Sequence, residues 1–420
     1  MSAKELERRI EKLSADIALQ RKLLEQLEHS KSAAQRQLNS LRDPVARLPL
    51  EISSEIFLRC LPDYPPKTGA DLAPMLLLSI CNAWSEIALS NSALWSTIHI
   101  NFPGPEILQL WLERGRNQTL SVTLDSGLSD AVVDVIMPYA TQLQHLELVV
   151  YEEQTISSLA RAKGKFTSLQ TLTIGSDEES YESGLSVRRV LDVLRTAPNL
   201  LGCTFLGLFT YDDPSLQGTL ALPNVTCVTF ERNTEGDSSR DHVLRYLELP
   251  ALQTLFCSFT VISGGDFLLF LRRSSPPLQK LVIDNDGLDF VDLDRWLRLV
   301  PTLVHLELYA GDLVFVEQFF AALADSPFDF IPNLEDLTIQ YNGNSSPYET
   351  LLRALSIRRP RLASLKLTSP YSLSPLGVDV CDGLRQLGAD GLKIYIAARG
   401  TVLFDSTWCE FNQGYNTQSR

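Results

Sequence analysis

Two histidines, His145 and His305, stand at the same place in two nearly identical phrases, Leu143-Gln144-His145-Leu146-Glu147-Leu148 and Leu303-Val304-His305-Leu306-Glu307-Leu308. Imidazole nitrogens can hold a metal ion or relay a proton. The phrases lie six repeats apart, however, which at the spacing of neighbouring strands separates the two rings by roughly 30 Å. They read as surface residues of a sheet. Asp284-Asn285-Asp286-Gly287 has the opening of a calcium loop, but Leu288 stands where the fifth-position ligand belongs and Arg295 where the bidentate Glu belongs. An ion there would be undercoordinated, so the segment reads as a solvated acidic loop. The chain has no His-Glu-x-x-His, Gly-x-Ser-x-Gly, Walker A or Gly-x-Gly-x-x-Gly phrase, and only five histidines. The expectation is a protein without catalytic residues, metal or cofactor.

The elements that carry these residues are repeats. From residue 143 a Leu-x-x-Leu-x-Leu phrase returns nine times, anchored at Leu143, Leu169, Leu200, Val225, Leu252, Leu278, Leu303, Leu334 and Leu362. The spacings are 26, 31, 25, 27, 26, 25, 31 and 28 residues. They match or slightly exceed those of leucine-rich repeats, in which each unit supplies one strand and a return segment and buries its apolar face only against its neighbours. Most phrases follow a proline, as in Pro198-Asn199, Pro223-Asn224, Pro301-Thr302, Pro332-Asn333 and Pro360-Arg361, and such a proline ends a helix before the strand begins. Helical apolar spacing marks residues 187–194, 267–271, 293–299 and 348–355. An αβ solenoid with a curved parallel sheet is predicted over 97–408, started by Ile98-His99-Ile100 and Leu120–Leu124 and closed by Leu392–Ile396. A short tail, 409–420, follows.

Period two orients the sheet: if Leu146 and Leu148 point into the core, their neighbours point out. The rule lines the concave face with His145, Glu147, Val149, Thr171, Thr173, Cys227, Thr229, Glu231, Thr254, Phe256, Ser258, Lys280, Asp284, His305, Glu307, Tyr309, Asp336, Thr338, Gln340, Ser364 and Lys366. Concave faces of this kind commonly bind extended partners. His145, Glu147, Thr173, Thr229, Phe256, Lys280, His305, Glu307, Tyr309, Thr338 and Lys366 are therefore the candidates for holding a target protein. Acidic runs at Asp177-Glu178-Glu179, Glu235-Gly236-Asp237 and Asp284-Asn285-Asp286 lie beyond strand ends and read as solvated loops.

Upstream, Leu6, Ile10, Leu13, Ile17, Gln20, Leu24, Leu27, Lys31, Ala34, Leu38 and Leu41 alternate in steps of four and three residues, the seam of a coiled coil over 1–43. Ile at a and Leu at d suggest a weak parallel homodimer, with Gln20 and Lys31 fixing register at a cost in stability. A monomeric helix, or one folded back on the body, is the alternative.

Between this helix and the repeats lies Pro44-Val45-Ala46-Arg47-Leu48-Pro49-Leu50-Glu51-Ile52, leading into Ser54–Leu61, then Leu76–Leu89 and Ala93-Leu94-Trp95. Ile52, Ile56, Phe57 and Cys60 recur at helical spacing, and a second helix repeats the pattern with Leu77, Ile80, Cys81, Trp84, Ile87 and Ala88. Residues 62–71 are rich in Pro and read as a loop. The order resembles an F-box, the module that docks on the Skp-type adaptor of a cullin ubiquitin ligase. Asn82-Ala83 stands in place of the family's basic pair. With the 62–71 insert, the Leu94-Trp95-Ser96 ending and the N-terminal helix, segment 44–96 is similar to the expanded F-box families of mushroom-forming fungi. The resemblance implies a non-enzymatic substrate receptor whose adaptor contacts are Leu48, Pro49, Ile52, Ile56, Phe57, Leu77, Ile80, Cys81, Trp84 and Leu94. The rival is a repeat scaffold outside ubiquitination, with these helices only capping the solenoid.

At 420 residues the chain exceeds one ordinary domain, and its formal charge of −14 opposes binding to nucleic acid, which needs clustered Lys and Arg. No run is apolar and long enough to span a bilayer, and the N-terminus has no signal-like apolar stretch, so an intracellular protein, cytoplasmic or nuclear, is expected. The seven cysteines are odd in number and form no Cys-x-x-Cys pair, and they read as buried free thiols.

Overall fold

The computed structural model describes residues 3–42, 45–62, 72–100, 104–125, 128–150, 153–160, 166–176, 185–206, 210–211, 216–231, 243–258, 264–285, 288–310, 312–343, 347–359 and 361–406. Most of the 62–71 insert, the acidic runs at 177–179 and 235–237, Asp286, Pro360 and the 409–420 tail lie outside the described residues. The chain divides into two compact units, Met1–Thr123 and Leu124–Arg420. Among the described residues no helix is long and apolar enough to cross a membrane.

The first unit begins with α1 (Ala3–Arg42). It continues with α2 (Leu50–Arg59), α3 (Met75–Ile80), α4 (Asn82–Ser90), β1 (Thr97–Ile100), α5 (Pro105–Gly115) and β2 (Leu120–Leu124). Pro49 precedes α2 as its cap residue, one position earlier than the first helical turn. The single second helix expected from the sequence is two helices. Cys81 adopts an extended backbone (φ −160°, ψ 167°), which breaks the i-to-i−4 ladder and redirects the chain between α3 and α4. Phe57 is fully buried with its ring centroid 5.0 Å from that of Trp84, and the Ser53 hydroxyl donates to the Val45 carbonyl at 2.9 Å. The unit reaches past residue 96 because Trp95 sits in one core with α5. Its ring meets Trp111 edge-on at 5.0 Å, its indole N–H donates to the Ala88 carbonyl, and the Arg114 guanidinium lies 4.4 Å above it. Gly115 permits that packing, since a Cβ there would stand 2.8 Å from Leu120 Cδ2 and 3.2 Å from the Trp95 carbonyl oxygen.

The second unit contains α6 (Asp130–Ile136), β3 (Leu143–Val150), α7 (Glu153–Ala160), β4 (Thr171–Ser176), β5 (Leu185–Ser186), α8 (Val187–Leu194), β6 (Gly202–Leu206), β7 (Thr210–Tyr211), β8 (Leu220–Ala221), β9 (Cys227–Glu231), β10 (Leu247–Glu248) and β11 (Thr254–Ser258). It goes on with α9 (Gly264–Ser274), β12 (Lys280–Asn285), α10 (Phe290–Leu297), β13 (His305–Ala310), α11 (Leu313–Asp325), β14 (Asp336–Tyr341), α12 (Tyr348–Arg358), β15 (Ser364–Ser369), α13 (Val378–Ala389), β16 (Lys393–Ala398) and β17 (Thr401–Asp405). Mixed α/β architecture follows, with strands in the order β3-β4-β6-β9-β11-β12-β13-β14-β15-β16-β17 and two side ladders, β5 with β7 and β8 with β10. Side chains start several helices: Ser129, Asp289 and Asp312 each accept an N–H of the first turn of α6, α10 and α11.

All neighbours in that order from β3 to β16 are parallel, and the register matches residue for residue. Two inward ladders result. One runs through Leu146, Leu172, Cys203, Val228, Leu255, Leu281, Leu306, Leu337, Leu365 and Ile394; the other through Leu148, Ile174, Phe205, Phe230, Cys257, Ile283, Leu308, Ile339, Leu367 and Ile396. Every one of these side chains is buried, and full burial of such a residue stabilises by roughly 1.5–3 kcal/mol. The sheet does not end at Leu392–Ile396 as the sequence suggested. Arg399 and Gly400, both with positive φ (48° and 75°), make a two-residue turn, and β17 returns antiparallel along β16.

Loop side chains tie three of the repeats to the one before. The amide of Asn199 donates to the Thr167 carbonyl, that of Asn333 to the Pro301 carbonyl, and Arg361 Nη1 to the Pro332 carbonyl, each from the residue after a proline.

Candidate interaction surfaces

In the first unit the docking residues named from the sequence divide into two groups. Leu48, Pro49, Ile52, Ile56 and Ile80 are exposed, with Ile52 at 51 % and Ile56 at 37 %. Phe57, Leu77, Cys81 and Leu94 are buried, so they form the core beneath a surface and are not contacts of it; Trp84 is half-buried against Phe57. Period explains the division. Ile52 and Ile56 are four residues apart and share one stripe of α2, whereas Phe57, one step further round, turns to α4. On α3, Leu76 and Ile80 form a second exposed i,i+4 pair. Leu50 and Leu76 were missed among the surface residues, because apolar spacing marks a buried and an exposed apolar stripe with the same signal.

In the second unit the face opposite the two inward ladders bears three outward rows. The middle row is Glu147, Thr173, Thr204, Thr229, Phe256, Val282, Glu307, Thr338, Lys366 and Tyr395, each aligned with the next. The row at the strand starts holds His145, Thr171, Cys227, Thr254, Lys280, His305, Asp336, Ser364 and Lys393, with Gly202 between Thr171 and Cys227. A third row carries Asp284, Tyr309, Gln340 and Thr368. The outward candidates His145, Glu147, Thr173, Thr229, Phe256, Lys280, His305, Glu307, Tyr309, Thr338 and Lys366 thus fall on one face, each exposed or half-buried. Thr204, Val282 and Tyr395 belong to the same row and were missed. Thr204 sits in a phrase whose inward positions are Cys203 and Phe205, which hides the leucine pattern. Val282, outward by register, is only 4 % exposed between Phe256 and Glu307.

Polar side chains on this face bond mainly along and across strands. His145 Nδ1 lies 2.6 Å from the Thr171 hydroxyl, and His305 Nδ1 lies 2.7 Å from Asp336 Oδ2, an ion pair whenever the ring is protonated. The Ser364 hydroxyl donates to the same Asp336 carboxylate. Lys280 Nζ stands 5.3 Å over the Phe256 ring. Tyr309 donates to Glu307 Oε1 at 2.5 Å, and that bond, with burial and the nearby Glu307 and Asp284 charges, pushes its phenol up to about 12. A shallow depression of about 240 Å³ lies here, lined by Lys280, His305, Leu306, Glu307, Asp336 and Thr338. His145 on β3 and His305 on β13 are six strand spacings apart in the sheet, and among the described residues no group of three or more His, Cys, Asp or Glu is placed to hold a metal ion.

The cysteines need one correction. Cys81, Cys203 and Cys257 are buried, but Cys381 is half-buried and Cys60 and Cys227 are exposed, Cys60 at the end of α2 and Cys227 at an outward strand position; Cys409 lies outside the described residues. Burial pushes the Cys203 thiol up to about 12, which keeps it protonated and unreactive. No protein-family model matches this chain, and no curated protein matches it.

Proposed function

We propose that the chain is a non-enzymatic substrate receptor of a Skp–cullin-type ubiquitin ligase. Segment 44–96 would dock on the adaptor as an F-box-like module, and the leucine-rich-repeat-like body would hold a target protein on its open face. One observation carries the reading: the short helices already have a core in Phe57, Leu77 and Leu94, yet they and the bend before α2 still present Ile52, Ile56, Ile80 and Leu48 to solvent. A stable apolar surface over a finished core is what a partner protein covers. The cellular setting that goes with this role is intracellular, and no nucleic acid, membrane or cofactor takes part.

Ile52→Asp with Ile56→Asp places two charges on the surface stripe of α2 and leaves its core untouched. Co-purification with a Skp-type adaptor should then be lost, because truncating or charging a central anchor costs about 2–4 kcal/mol of binding. Unchanged recovery of the adaptor by a variant with native circular dichroism refutes the docking reading. On the open face, Glu147→Lys with Glu307→Lys should reduce target recovery under proteasome inhibition while adaptor binding stays as before.

A second reading, a repeat scaffold outside ubiquitination in which the helices act as a cap, draws on the sharing of one core by Trp95 and Trp111. Failure of the unsubstituted chain to recover any Skp-type adaptor favours it.

A further inference from the structure

The helix α1 is 40 residues long, about 60 Å at 1.5 Å per residue, and it carries an apolar stripe that the other described residues leave exposed. Ile10, Leu13, Ile17, Leu24, Leu27 and Leu38 are between 40 % and 62 % exposed. Between Ile10 and Leu38, Gln20, Lys31 and Ala34 fill the other places of the same four-and-three alternation, and they too are exposed. A stripe this regular is the seam of a two-stranded coiled coil, since knobs recurring every 3.5 residues stay in line only on a facing helix of the same period. The polar residues within the seam decide which way that helix runs.

In a parallel pair each residue faces its own copy. Lys31 would meet the partner's Lys31 inside one layer, two like charges with little water between them, and Gln20 would meet the partner's Gln20. Leu23, 56 % exposed on the flank of the seam, would lie against the partner's Glu28. An antiparallel pair pivoting between Leu24 and Leu27 removes these conflicts together. Leu24 then faces the partner's Leu27, Ile17 the partner's Ala34, Leu13 the partner's Leu38, and Lys31 the partner's Gln20, a charge against a neutral amide that can accept its proton donors. On the flank Arg21 faces the partner's Glu28, and by symmetry this gives two attractive pairs with no like-charge pair beside them. Leu23 comes to lie beside the central leucines, so the richest apolar stretch of the helix sits on the two-fold axis.

We propose that α1 binds α1 of a second copy of this chain in antiparallel orientation, with the two-fold axis between Leu24 and Leu27. The interface is isologous and closes at two copies, because each seam is fully used by its partner. Whatever each chain binds through its other residues is then doubled on one particle, with the C-terminal ends of the two helices about 50 Å apart.

Disulfide trapping in the full chain separates the orientations. None of the native cysteines lies before residue 60, and the unsubstituted chain sets the background. Ile17→Cys mixed with Ala34→Cys should give a linked dimer under mild oxidation, at least tenfold above either variant alone, since the two positions are opposite. Ile17→Cys alone should give none, its two copies being roughly 25 Å apart, far beyond the ~7 Å between Cα atoms that a disulfide spans. Efficient linkage of Ile17→Cys with itself means a parallel pair and overturns the proposal. Sedimentation equilibrium supplies an independent readout: Arg21→Glu should weaken the dimer by about tenfold, and Arg21→Glu with Glu28→Arg should restore it. A chain that is monomeric throughout the concentration series, or a double exchange that fails to recover association, overturns it equally.

Discussion

At the scale of single residues, Tyr309 shows how neighbours set a titration. Its hydroxyl donates to Glu307, two residues back on the same strand, and the carboxylate's charge and partial burial hold the phenol proton up to about 12. Such a group is protonated in the folded protein over a range, about pH 10 to 12, in which the unfolded chain has begun to release it. The folded state then binds more protons, so the stability that the interaction contributes at neutral pH is lost as pH rises through that window. The tyrosinate absorbance titration of the protein minus that of Tyr309→Phe should show a group titrating near 12. Glu307→Gln should bring it back towards 10, because both the charge and the acceptor weaken; a difference titration near 10 in the unsubstituted protein contradicts the bond. Arg358 illustrates what single residues conceal from sequence. In the last turn of α12 a basic residue reads as a solvated partner of the helix dipole. Instead it is buried and donates to the carbonyls of Leu323 and Ile331 at 2.9 Å, stitching α12 to the end of α11. Burial lowers its guanidinium to about 10.

At the scale of elements, period was legible and interruption was not. The leucine phrases placed the parallel strands of the large sheet from β3 to β15, Leu392–Ile396 placed β16, and 187–194 coincides with α8 residue for residue. Helices at 293–299 and 267–271 were legible but shifted or shortened, against Phe290–Leu297 and Gly264–Ser274. The helix α11 went unseen because Leu313, Val314, Phe315, Val316, Phe319 and Phe320 are apolar nearly all round, which leaves no polar face for periodicity to detect. At Cys81 nothing in the side chain announces an extended backbone, and the pattern runs straight across the break. The same limit blurred the docking residues, since Ile56 and Phe57 carry equal weight in a hydrophobic count although one is surface and the other core. Chemical denaturation should separate them. Phe57→Ala empties a fully buried ring site and should cost about 3–5 kcal/mol, while Ile56→Asp should change stability by only about 0.5 kcal/mol. Equal costs contradict the assignment of these two neighbours to opposite sides of α2.

At the scale of the whole molecule, the second unit is a stack in which each strand pairs only with the strands of adjacent repeats, so stability is a sum of local terms joined by neighbour contacts. A stack of this kind is most vulnerable at an end, where an edge strand offers unpaired backbone groups. Here β17 takes that position, reversing direction through Arg399-Gly400 and pressing Phe404, 7 % exposed, beside Ile396. It is the element that departs from the repeat, and the leucine pattern therefore could not announce it: Val402 and Phe404 belong to no Leu-x-x-Leu-x-Leu phrase. Phe404→Ala should uncover Ile396 and loosen the last strands without reaching the first. Hydrogen exchange should show protection lost in β15, β16 and β17 and retained in β3, β4 and β6, because β17 pairs with β16 at the end of the order and coupling decays along the stack. If protection falls evenly from β3 to β17, the unit unfolds as a single cooperative block, and the neighbour-only description of its energetics is wrong.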